Sequence, residues 1–127
     1  MPQQPDPRSA MGLLGEQAAE RFLRKLGYRV LARRYQTPMG ELDLVMQSGD
    51  TVVFVEVKTR ADRRLADPQD AVRSAKLGRM RKAATAFLRA TRRESMPARF
   101  DVVAVVIPSP RESESADSPQ IEHFQDI

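Results

Sequence analysis

The run "TVVFVEVKTR", Thr51 to Arg60, constrains the fold more than any other stretch. Val52 to Val55 is a short, unbroken apolar segment, the pattern of a strand covered on both faces. Such a strand normally excludes charge, yet Glu56 and Lys58 follow with only Val57 between them. Side chains alternate along a strand, so both share the face of Val52 and Phe54. That face is apolar early in the strand and charged at its end.

The preceding segment sharpens the point. "ELDLVMQ" and "TVVFVEVKT" flank "SGD" and read as a β-hairpin. A two-residue Gly49-Asp50 turn with glycine first suits type II′. Ser48 then pairs with Thr51, and the same register puts Asp43 opposite Glu56 and Glu41 opposite Lys58. Two carboxylates on adjacent strands can hold one hard cation through oxygen, the usual manner of Mg²⁺. A lysine beside them can orient a water or stabilise developing negative charge. The same four residues can equally form a cross-strand ion-pair cluster with no chemistry.

The rest of the chain supplies helices and further strands. "MGLLGEQAAERFLRKLGY" carries Ala18, Ala19, Phe22, Leu23 and Leu26 on one helical stripe, with Glu16 at its border and Gly27 as the stop. "YRVLARRYQ" reads as a strand ending near Thr37-Pro38. After a basic loop, "RADRRLA", a second helix is expected over "DPQDAVRSAKLGRMRKAATAFLRATRR". Asp67 is its expected N-cap, Pro68 its first helical position and Asp70 the partner in a capping box. Val72, Met80, Ala83, Ala84 and Phe87 form its apolar stripe, into which Lys76 falls. "RFDVVAVVI" is a further buried strand and "IEHF" an edge strand. The order αβββαβ(β) implies an α/β fold with a mixed central sheet flanked by helices. Residues 1–10 are expected as a tail, residues 11–127 as one domain, and 108–118 as a mobile loop within it.

Composition narrows the chemistry. The chain has 127 residues, enough for one core, and 41% of them are apolar. It has no cysteine, which excludes disulfides, thiolate zinc sites and cysteine catalysis. One histidine, His123, excludes a multi-histidine metal site within a single chain; its loop and tail setting suggests no partner, and it is left out of the site. Lys and Arg number 21 against 17 Asp and Glu, so the formal net charge is +4, a modest bias towards an anionic partner such as nucleic acid. The start "MPQQPDPRSA" lacks an apolar signal core, so a cytoplasmic protein with no membrane partner is expected.

"GEQAAERFLRKLGY", "GELDLV", "VFVEVKTR", "DAVRSAKLGRMRKAATAFL" and "RFDVVAV", taken together, resemble the YraN family. That family is similar to archaeal Holliday junction resolvases of the PD-(D/E)xK, restriction-endonuclease-like nuclease superfamily. The resemblance covers about Gly12 to Ile107, with "IEHF" like the family's closing strand. It implies a restriction-endonuclease-like core and a Mg²⁺-dependent DNA endonuclease, with Mn²⁺ as a substitute cation and branched DNA among its substrates. The alternative is a non-catalytic nucleic-acid-binding or adaptor module that keeps the fold. Carried over residue by residue, Glu16, Asp43, Glu56 and Lys58 form the catalytic set, with Asp43 and Glu56 on the metal. Lys76 matches a position where the family often has lysine, and Arg60 opens a basic stretch able to touch phosphate. Arg34 and Gln36 stand where the family often has Asn and Arg. One constellation per chain implies a homodimer on DNA, since two strands must be cut.

Overall fold

A computed structural model describes residues 7–60, 74–107 and 120–127, with side chains from residue 10 in the first span and residue 77 in the second. The elements are α1 (Pro7–Lys25), β1 (Arg29–Thr37), β2 (Gly40–Ser48), β3 (Thr51–Arg60), α2 (Ser74–Ala90), β4 (Ala98–Val106) and β5 (Gln120–Phe124). They form a five-stranded sheet in the order β1-β2-β3-β4-β5. Only the β3–β4 pair is parallel, and α2 lies in the connection between those strands. The other three pairings are antiparallel, so the sheet is mixed, as expected. "IEHF" does pair at the edge, against β4.

Each helix covers one face of the sheet. Ala18, Ala19 and Leu23 of α1 pack with Leu44, Met46, Val53, Val55, Val103 and Val105. Ala83, Ala84 and Phe87 of α2 pack with Leu42, Val45, Val52 and Phe54 on the other side. The alternation of β3 is thus read out directly, with odd residues towards α1 and even residues towards α2. Full burial of a side chain such as Phe54 contributes about 2–3 kcal/mol. Its edge-to-face contact with Phe87, centroids 5.9 Å apart, adds to that.

Two close fits position the charged end of β3. Gly49 has φ 60 and Asp50 does not share a positive φ, the signature of the expected type II′ turn. The ladder from Ser48–Thr51 to Leu44–Val55 follows the expected register. At the other end, α1 crosses β3 with its backbone against Thr59. A Cβ added to Gly15 would lie 1.8 Å from the Thr59 hydroxyl oxygen and 2.9 Å from its Cβ. Only glycine allows that approach, and it sets Glu16 beside the end of β3.

Some expectations shift. Helix α1 already includes residues 7–10, which were read as tail. Leu26 falls beyond α1 and is 55% exposed, so it is not part of the stripe. Arg60 closes strand β3, opposite Val106, rather than opening a loop. Asp67, Pro68, Asp70, Val72 and the loop at 108–118 lie outside the described residues.

Candidate active site

The site begins where the β2–β3 ladder ends. Beyond Leu44–Val55 the two strands part, so Asp43–Glu56 and Glu41–Lys58 are not the ladder pairs that the hairpin register predicts. The reason lies in β1 and β2. Leu44 packs on the α1 side and Leu42 on the α2 side, although strand alternation would put both on one face. Across the ladder, Arg33 and Arg34 both reach α1, while Tyr35 packs on the α2 side. Arg34 has φ 45, a left-handed conformation that turns the strand over at this point.

Asp43 sits at this reversal, and its side chain is directed towards β3. Its Oδ2 accepts the Val57 amide at 2.9 Å, taking the place of a main-chain carbonyl. That directs the carboxyl into hydrogen-bonding contact with Glu56. The two acids therefore meet as expected, by a different geometry from simple cross-strand pairing. Burial, reinforced by the Glu56 charge, pushes the Asp43 carboxyl up to about 7; the Val57 amide opposes the shift and the Glu16 charge adds to it. Glu56 is 7% exposed, and Lys58 Nζ stands 3.5 Å from its Oε1.

The other expected site residues are placed unequally. Glu16 is near enough for its charge to act on Asp43, but its carboxylate is held by Arg34. Arg34 Nε donates to Oε1 at 2.8 Å and Nη2 to Oε2 at 3.2 Å. This ion pair raises the Arg34 guanidinium further. Glu41 is exposed and accepts a hydrogen bond from Gln36 of β1. Lys76 lies in α2, where its side chain is outside the described set.

The donor set fits a hard cation. Asp43, pushed up by burial and further by the Glu56 charge, and Glu56 are the two oxygen donors that would hold such a cation, with water and phosphate oxygens filling the rest. Among the described residues, no three His, Cys, Asp or Glu side chains converge into a metal-holding group. A shallow recess beside Glu56, lined by Met39, Gly40, Glu41, Arg79, Met80 and Ala83, opens the α2 side of the pair to solvent.

His123 is not the unpartnered residue its position suggested. Its Nε2 lies 2.7 Å from Asp101 Oδ2, and its ring meets Phe22 and Tyr28 edge-on. Asp101 is fully buried and also accepts from Arg99 Nε at 3.1 Å and the Asp126 amide at 2.9 Å. Arg99 Nη2 donates in turn to Tyr28 at 2.7 Å. Only the aspartate in the apolar run "RFDVVAVVI" signalled this network in the sequence.

A mixed five-stranded sheet with one helix on each face is a restriction-endonuclease-like core. Residues 15–105 match the family described as "Uncharacterised protein family UPF0102", and the chain belongs to that family, also called YraN. It is 45% identical over 97 residues to a UPF0102 protein of Syntrophomonas wolfei, covering 76% of this chain and 84% of that one. A UPF0102 protein of Pelotomaculum thermopropionicum is 37% identical over 120 residues, covering 94% and 96%. One from Geobacter sulfurreducens is 42% identical over 114 residues, covering 90% and 84%. Among the described residues, no helix is long and apolar enough to cross a membrane.

Proposed function

We propose that the chain is a Mg²⁺-dependent DNA endonuclease, with branched DNA among its substrates and two copies acting on one duplex or junction. The observation that carries this reading is the contact between the Asp43 and Glu56 carboxyl groups, with Lys58 3.5 Å from Glu56, at the end of an otherwise apolar strand. Clustering two acids in a partly buried position costs stability, and a bound cation offsets that cost.

In this reading Asp43 and Glu56 hold the cation. When bound, Mg²⁺ lowers the pKa of a water and neutralises charge on a phosphodiester. The Val57 amide fixes the rotation of Asp43, so its outer oxygen keeps one direction. Lys58 shares a strand face with Glu56, and its ammonium faces the negative charge that develops on the scissile phosphate. Arg60 extends the basic end of β3 and contacts neighbouring phosphates, and Lys76 of α2 does so from the following helix. Mn²⁺ substitutes for Mg²⁺ at such an oxygen site. The competing reading, a non-catalytic nucleic-acid-binding module, draws on the engagement of Glu16 by Arg34.

Cleavage assays on linear, flapped and four-way DNA separate the two. Glu56→Gln should lower cleavage by about 100-fold or more while leaving DNA binding intact. A folded Glu56→Gln protein that cuts at the wild-type rate rules out the proposed role. Wild-type protein that binds these DNAs but cuts none of them with Mg²⁺ or Mn²⁺ supports the binding module instead.

A further inference from the structure

Arg34 is the unusual residue near the site. A bulky side chain at φ 45 is an outlier in a strand. The conformation makes two successive residues point to α1: Arg33 engages Glu20, and Arg34 engages both oxygens of Glu16. The Arg34 side chain is 42% exposed and the Glu16 side chain 15% exposed, so an outside anion has access to the guanidinium while the carboxylate faces inward. The Glu16 charge reaches Asp43 while its carboxylate is turned to Arg34, and the Gly15–Thr59 contact keeps α1 against β3.

We propose that Arg34 is a positioning residue that latches the Glu16 carboxylate away from the Asp43–Glu56 pair until a phosphodiester takes its guanidinium. The inference rests on the metal-site reading above and adds how that site is completed. Arginine binds carboxylate and phosphate through the same fork of donors, so one can replace the other. The guanidinium end of the pair is open to solvent, so a phosphodiester can reach it and take over the same fork of donors. With Arg34 moved to phosphate, Glu16 becomes the third acid beside the cation. Among the described residues the bare protein brings Asp43 and Glu56 together, and nucleic acid itself completes the set.

A double-mutant cycle on the full chain tests this by Mn²⁺ titration calorimetry without DNA. Glu16→Gln alone should change Mn²⁺ affinity by less than about twofold, because the latched carboxylate, although its charge reaches Asp43, does not touch the cation. Arg34→Asn releases the latch with a residue that tolerates positive φ. In that background Glu16→Gln should lower affinity by about fivefold or more, since contacting groups couple. Arg34→Lys keeps the charge but loses the fork, and should give an intermediate coupling. A Glu16→Gln effect of equal size in all three backgrounds overturns the latch and leaves the metal site standing. No Mn²⁺ binding in either the wild type or Arg34→Asn overturns both.

Discussion

Two groups of buried acid sit on this sheet, and they are solved in opposite ways. Asp101 is closed: Arg99, His123 and the Asp126 amide all face its two oxygens. Asp43 and Glu56 instead face each other, with the Val57 amide on Asp43 and Lys58 3.5 Å from Glu56. The first arrangement satisfies the carboxylate from within the chain and ties the C-terminal strand to the core. The second keeps two acids in contact, and burial first, then the Glu56 charge, raises the Asp43 pKa. The difference marks Asp101 as structural and sets the Asp43–Glu56 pair apart as the place that the proposed cation would occupy.

The largest effect expected from this contrast is on stability. Asp101→Ala leaves the part-buried Arg99 and His123 facing a cavity without their carboxylate. Breaking a buried charge pair by removing one partner costs about 3–5 kcal/mol. Denaturant unfolding should show that loss, together with early release of β5, whose His123 and following Asp126 amide both contact Asp101. A loss below about 1 kcal/mol would put Asp101 in the class of ordinary surface pairs and remove the contrast.

The two acid sites also differ in how well the sequence announced them. Glu56 and Lys58 stand out because charge interrupts an apolar strand, and the glycine-first turn sets the register of the ladder that leads up to them. The turn, the pairing up to Leu44–Val55, Ala18, Ala19 and Leu23 of the first stripe and Ala83, Ala84 and Phe87 of the second follow from local pattern alone. Periodicity could not show that β2 turns over at Asp43, because that depends on Arg34 of the neighbouring strand adopting φ 45. Nor could it show the Glu16–Arg34 pair, which joins residues far apart in the chain and brought together by tertiary packing. The role of His123 is hidden for the same reason: its partner Asp101 lies on another strand, and the β4–β5 register brings them together.

A smaller, pH-dependent effect is expected at the open pair. The Asp43 pKa is raised from 3.8 to about 7 in the folded chain. Between those values the folded state holds a proton that the unfolded state has lost. Stability therefore falls as pH rises through this window and levels off above it. Asp43→Asn removes the dependence. The variant should match the wild type near pH 4 and exceed it at pH 8 by about 2 kcal/mol, after allowing for partial exposure of the site. Thermal melts at both pH values test this, and a variant less stable than wild type at pH 8 would mean that Asp43 is satisfied as Asp101 is.

The smallest expected effect separates the two sites by ligand. A divalent cation that binds only the folded state stabilises it by mass action, about 1 kcal/mol when present at roughly ten times its dissociation constant. Mg²⁺ or Mn²⁺ should therefore raise the melting temperature of the wild type. The rise should be larger at pH 8 than at pH 6, because the cation competes with the proton on Asp43. Asp43→Asn should abolish it by removing one of two ligands. Asp101→Asn keeps its site hydrogen-bonded, melts lower, and should still show the full rise. If the rise is equal in wild type and Asp43→Asn, the cation binds elsewhere. If it disappears only in Asp101→Asn, the assignment of the two acid sites is reversed.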